Sequence, residues 1–171
     1  VGSLVESYAP GDMVLADQFI DRTTKREQSF YGLAEGRVCH ISPAEPMCPE
    51  LHKVAIEAAK TLKIKHHETG TYVCIEGPRF STKAESRMYQ KWGADIIGMT
   101  MVPEVVLARE AEICYTNIST VTDYDCWKDH NVCVDDIVSI MKIGIENVKK
   151  IVAENIAKTP VTQSCKCSSA L

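Results

Sequence analysis

Two aspartates, Asp123 and Asp125, stand one residue apart in "TVTDYDCW", directly after the apolar run "ICYTNISTVT". On an extended strand, side chains two apart share a face. Two close carboxylates in a partly dry pocket cannot both ionise freely, so one pKa rises. A carboxylic acid kept neutral near physiological pH can donate a proton or a hydrogen bond, which is what a leaving group needs as it departs. An Asx turn followed by a helix N-cap accounts for the same pair structurally, and on spacing alone it is the stronger account.

Two other short segments carry similar chemistry. In "GMT", Thr100 precedes a helix whose first turn holds Pro103 and Glu104. Free N–H groups at a helix start attract anions, and a hydroxyl there adds a donor. A plain Thr N-cap explains Thr100 equally well. Met99 offers a flexible apolar surface to something like a sugar face, or fills a core. In "EGPRFST", Gly77-Pro78 makes a sharp turn and Thr82 with Glu85 forms a capping-box signature. If Thr82 caps, Ser81 is free to serve a ligand. Phe80 offers a flat face to an aromatic base, though Phe more often packs in a core. Arg79 is read as an ion-pair partner of Glu76 or Glu85 rather than as a phosphate ligand. Together these residues describe an aromatic platform, a neutral acid, an anion corner and an apolar sugar shelf, a set that suits a nucleoside and phosphate.

Alternating strands and helices must position these groups. Residues 11–20, 37–41, 71–77, 94–100 and 113–122 read as strands. Three prolines make residues 42–50 an extended loop. Helices are expected over about 50–63, 82–92 and 103–111, and a long amphipathic helix over 137–158. The stripe of that last helix is Ile137, Met141, Gly144, Val148, Val152 and Ile156. The alternation predicts an α/β fold with a layered sheet. In such folds ligands sit beyond the carboxyl ends of strands, and all three chemical segments lie there.

The bulk numbers allow this. The chain has 171 residues, 45% apolar and 25% charged, enough for one domain with a real core. A net charge of −4 gives no electrostatic case for nucleic acid or an anionic membrane. No apolar run approaches the roughly 18 residues that span a bilayer, and no leader is read at Val1. Eight cysteines invite a disulfide framework, but Cys39, Cys74 and Cys114 sit where small core residues belong, and no pair has C-x-x-C zinc spacing. A reduced, cytoplasmic protein is the expectation. Cys165 and Cys167, in "SCKCSS", read as exposed thiols of a disordered polar tail.

"IEGPRFSTKAES", "WGADIIGMTMVPEVVLAREAEICYTNISTVTDYDCWK" and "PGDMVLADQFIDRTT" resemble the purine nucleoside phosphorylase family, in the branch that cleaves methylthioadenosine. The resemblance runs from about residue 2 to about 158, leaving 159–171 as a tail. It implies an α/β sandwich with a mixed, partly barrel-like sheet flanked by helices, assembled as a homotrimer in the cytoplasm and also the nucleus. It implies phosphorolysis of methylthioadenosine to adenine and 5-methylthioribose 1-phosphate, with inorganic phosphate as co-substrate and no metal or organic cofactor.

The resemblance also implies roles. Asp123 becomes the acid at purine N7, Asp125 meets the exocyclic amino group, and Thr122 lines the same edge. Phe80 packs on the base and Ser81 sits at its pyrimidine side. Met99 holds the ribose and Thr100 contacts phosphate. Val134 and Ile137 wall the methylthio group, or are core residues. His40 reaches the 5′ pocket of a neighbouring subunit. Adenine suits these groups, because its amino group donates to Asp125 and its N1 accepts from Ser81. Relatives acting on 6-oxopurines carry Asn and Glu in place of Asp123 and Ser81.

The family pattern opens with a glycine-rich phosphate loop and an Arg-His-Gly segment that this sequence does not match, so the fold is expected to be incomplete at its N-terminus. "VTQSCKCSSAL" does not resemble the family's closing helix. Two expectations follow: a chain of an active phosphorylase, or a truncated purine-binding or subunit-mixing chain that lacks catalysis.

Overall fold

The computed structural model describes residues 1–32, 36, 38–128 and 134–171, with only the backbone for 134–136. In chain order the strands and helices are β1 (Gly2–Ser3), β2 (Met13–Val14), β3 (Gln18–Arg22), α1 (Pro49–Thr61), β4 (His66–His67), β5 (Thr71–Ile75), α2 (Lys83–Lys91), β6 (Ile96–Gly98), α3 (Met101–Glu110), β7 (Ser119–Thr120) and α4 (Val134–Lys158). Short 3-10 turns cover Asp125–Trp127 and Lys166–Ser169.

The strands form two mixed sheets, one in the order β1-β6-β5-β3 and one in the order β4-β2-β7. β5 runs parallel to both β3 and β6, and β1 closes that sheet antiparallel to β6. β5 reads TYVCI and is buried from Tyr72 to Ile75, the continuous apolar pattern of a strand covered on both faces. The larger core cluster joins Tyr72 and Cys74 to Ile96, Val102, Val105 and Val121. This is the α/β fold expected from the alternation, with helices on mixed sheets.

The helix ends follow their local chemistry. α1 begins on Pro49 with Glu50 in its first turn and buries Ala55, Ala58 and Ala59; proline has no N–H to leave unsatisfied there. α2 carries the full capping box, with the Glu85 amide donating to Thr82 Oγ1 at 3.1 Å and the Thr82 amide donating to Glu85 Oε2 at 2.8 Å. Among the described residues, no helix is long and apolar enough to cross a membrane.

Several expectations are corrected. Residues 11–20 are two strands in different sheets, because the Leu15 amide bonds the His67 carbonyl while Gln18 onward pairs with β5. Among the described residues of 37–41 there is no strand, and Val38 is exposed. The strand read over 113–122 shrinks to Ser119–Thr120, since the Tyr115 carbonyl accepts from the Cys48 amide instead of a ladder partner. In α4 the buried face is Gly144, Ile151 and Asn155, while Val152 and Ile156 are 40% and 73% exposed. The expected stripe steps by four residues too often and drifts off the true face. The tail is not a free end either, because Cys167 is buried and the Ala170 amide bonds Glu112.

Candidate active site

The ends of β5, β6 and β7, the turn after β7 and one face of α4 enclose a pocket of about 540 Å³, within the range of small-molecule sites. Phe80, Ser81, Met99, Thr100, Thr122, Asp123, Asp125 and Ile137 all line it. His40 is exposed and does not line it. The side chain of Val134 lies outside the described residues.

The aspartates meet for a different reason from the one expected. The strand has already ended at Thr120, so period-two geometry does not align them. A tight turn does. Asp123 Oδ1 accepts from the Asp125 amide at 2.7 Å, the Asx turn weighed as the alternative, and Asp125 takes a left-handed φ of +50°. The bend folds both carboxylates into the same pocket. Thr122 Oγ1 lies 2.7 Å from Asp123 Oδ2 and 3.0 Å from the Val1 carbonyl, and its one proton serves one of them at a time. Asp125 is buried, and Ser86 Oγ donates to its Oδ2. Burial pushes the Asp125 pKa up from its ordinary value, and the charge of nearby Asp123 adds to the rise. The carboxyl that the fold drives toward neutrality is therefore Asp125, whereas the resemblance implied Asp123 as the acid. Gly2 makes room for the pair: a Cβ there would come within 3.1 Å of Asp123 Oδ1.

The Phe80–Ser81 end is arranged as the capping argument requires. Thr82 caps α2, and Ser81 Oγ is buried without a hydrogen-bond partner among the described residues. Its carbonyl accepts from the Cys126 thiol at 2.9 Å, which ties this loop to the aspartate turn. Phe80 is 49% exposed and turned to the pocket rather than packed in a core. Arg79 forks onto Glu85 at 2.7 and 2.8 Å, and that ion pair holds the Glu85 carboxyl down to about 2. Arg79 is therefore an ion-pair partner, as read from the sequence.

At the third strand end, Thr100 occupies the N-cap position of α3 but its hydroxyl makes no capping bond. Its amide donates to Tyr72 Oη at 3.3 Å and the Val102 amide to Cys74 Sγ at 3.4 Å. Those two amides are not the free anion donors that the helix-start argument assumed, which leaves the hydroxyl as Thr100's offering. Met99 lies against Gly77, whose φ of +68° and missing side chain let the thioether into the turn. The Arg26 guanidinium donates to the carbonyls of Met99, Val102 and Glu76, fastening two of the strand ends together.

Sequence reasoning missed part of the wall. Met141, Ile145 and Val148 on α4 continue the line of Ile137, and Asn117 and Ile118 face them. The i, i+4 spacing from Ile137 is visible in the sequence, but an apolar helix face does not by itself say whether core or ligand covers it. Gly144, on the neighbouring face, brings α4 against Thr120, where a Cβ would fall 2.5 Å from Thr120 Cγ2. The pocket thus offers two carboxyls, an unpartnered hydroxyl, an exposed ring and an apolar wall: what is needed to hold a flat heterocycle by its edge and protonate it.

Residues 1–157 match the Phosphorylase superfamily. The chain is 55% identical over 171 residues to S-methyl-5′-thioadenosine phosphorylase of Pyrococcus horikoshii, covering all of this chain and 65% of that one. It is 54% identical over 170 residues to the enzyme of that name in Danio rerio, covering 96% of this chain and 59% of the relative. The chain thus spans about three fifths to two thirds of the length of these relatives. Among solved structures, methylthioadenosine phosphorylase from Schistosoma mansoni in complex with adenine superimposes with a TM-score of 0.89 at 38% identity, over 95% of this chain and 64% of that one. A variant of the Schistosoma mansoni adenosine/methylthioadenosine phosphorylase in complex with methylthioadenosine gives 0.87 at 38% identity, over 95% and 63%.

Proposed function

The chain belongs to the phosphorylase superfamily, and on that premise we propose that it contributes the purine side of a nucleoside phosphorylase that cleaves S-methyl-5′-thioadenosine to adenine and 5-methylthioribose 1-phosphate. The observation that carries this reading is the meeting of the Asp123/Asp125 pair with the unpartnered Ser81 hydroxyl in one pocket. An adenine ring seated on Phe80 has its N7 and amino group at the aspartates and its N1 at Ser81. The relatives named for methylthioadenosine support the same substrate.

The chemistry follows from where charge moves. As the N9–C1′ bond breaks, positive charge grows on the ribose and negative charge on the purine. Inorganic phosphate takes the C1′ position, and the electron pair of the broken bond stays with the base. A proton held by the Asp123/Asp125 pair and delivered to N7 through Asp123 neutralises that charge. Asp125, already driven toward its neutral form, keeps its carbonyl oxygen to accept from the amino group and shares the proton inventory of the pair. Met99 shelters the ribose, Thr100 Oγ1 donates to phosphate, and Ile137 borders the methylthio group with Met141 and Ile145. No metal or organic cofactor enters these steps.

The assembly is a homotrimer in which His40 reaches a neighbouring pocket. Ile143 at 68% exposure and Ile156 at 73% give α4 an apolar outer surface for a subunit to cover. The described cysteines are free thiols, which suits the cytoplasm and nucleus.

Adenine release from methylthioadenosine is measured with and without phosphate, in the full-length protein. Release is expected to depend on phosphate, and Asp123→Ala to lower turnover by about 100-fold or more, the usual reach of a general acid. Wild-type turnover in Asp123→Ala would overturn the assignment.

A further inference from the structure

Four cysteines far apart in sequence converge away from the pocket. Cys48 is the N-cap residue of α1, Cys114 follows α3, and Cys165 and Cys167 flank Lys166 in the tail. Their four Sγ atoms all lie within 4.8 Å of one another. None of the four lines the pocket. We propose that Cys48, Cys114, Cys165 and Cys167 form a structural tetrathiolate site for zinc that fastens the tail to the body of the fold.

The dimensions suit the ion. A Zn–S bond of about 2.3 Å in a tetrahedron sets the sulfurs about 3.8 Å apart. Cys114 and Cys165 already stand at 3.4 Å, a non-bonded spacing far from the roughly 2.05 Å of a disulfide. The surroundings suit it too. Four thiolates around one Zn²⁺ carry a net double negative charge, and such sulfurs are steadied by N–H donors. Gln163 Nε2 donates to Cys114 Sγ at 3.1 Å and to Cys165 Sγ at 3.2 Å. An Arg109 N–H reaches Cys167 Sγ at 3.9 Å, bringing a positive charge to the cluster. Two of the sulfurs belong to buried residues and two to half-buried ones, which gives a closed site with no position left for substrate. On binding, the thiols pass their protons to solvent and all four coordination positions of the ion are filled by the chain. The role is structural and leaves the phosphorolysis above free of metal. It joins the start of α1, the segment after α3 and the tail, three pieces that share no strand pairing.

The full chain, purified under reducing conditions without chelator, is expected to carry one zinc by elemental mass spectrometry. Cobalt(II) added after stripping should give the sulfur-to-metal charge-transfer and d–d bands of a tetrahedral thiolate site. Cys167→Ser is expected to weaken zinc binding by about 100-fold or more, since disturbing even an outer partner costs about 10- to 100-fold. Cys39→Ser, outside the cluster, should leave the metal content unchanged. If Cys167→Ser does not fold, Cys165→Ser and the cobalt spectrum of the unaltered chain decide the matter. Negligible zinc with an octahedral cobalt spectrum would overturn the proposal. So would a disulfide joining any two of the four in protein alkylated before contact with air. Because neither readout involves methylthioadenosine, failure here leaves the phosphorylase reading standing, and the reverse holds as well.

Discussion

The aspartate turn and the cysteine cluster both gather like groups, yet they end in opposite states. At the turn, Asp123, Asp125 and Ser81 line an open pocket, and the Ser81 hydroxyl has no partner among the described residues. At the cluster, the four sulfurs face one another and collect donors from Gln163 and Arg109. The difference separates groups held ready for something outside the chain from groups that complete each other. Substitutions at the first should change what is bound and transformed. Substitutions at the second should change what is held together.

The largest effect expected on this contrast is a change of substrate. Ser81→Glu combined with Asp123→Asn should shift preference from adenine nucleosides toward 6-oxopurines by about tenfold or more, because a site built to pair one set of donors rejects its complement. Competition between methylthioadenosine and inosine checks it, and unchanged selectivity would break the contrast on the pocket side. A smaller effect concerns pH. The folded-state pKa of Asp125 is raised by burial. Its contribution to stability is thus fully present below its unfolded value and is lost as pH rises through the raised one. Asp125→Asn should remove that loss, so the stability difference between variant and wild type should move in the variant's favour from acid to neutral pH. Urea unfolding at several pH values measures it, and parallel curves would refute it. The smallest effect is expected at Arg79→Ala. Arg79 and Glu85 complete each other on the surface, where ion pairs are screened. The Tm should fall by only about a degree or two, and turnover should hold.

Legibility in the sequence followed distance along the chain. The capping box of α2 needed only residues 82–85, and it correctly left Ser81 free. The Asp123/Asp125 pair was found in eight residues, although the geometry that joins them is a turn and not a strand. The 113–118 segment misled because its β-branched and aromatic composition reports propensity alone. Pairing depends on neighbours, and here the Tyr115 carbonyl and the Cys114 sulfur are taken by α1 and the tail. The cysteine cluster was invisible because its members run from residue 48 to residue 167, and a search for C-x-x-C spacing cannot detect a site that tertiary contacts assemble. α4 lay between these cases: its period was clear, but one helix serves the core with Gly144 and Ile151 and the pocket with Met141 and Ile145.

A buried hydroxyl with no partner among the described residues is a small debt written into the resting protein. Stranding the Ser81 oxygen costs about 1–3 kcal/mol, and a guest ring that presents a lone pair at that edge cancels the cost on arrival. A ring with carbon in place of that nitrogen leaves it outstanding. Discrimination at this edge is therefore set before any guest enters, by the cap that drew Thr82 into the helix and left its neighbour waiting.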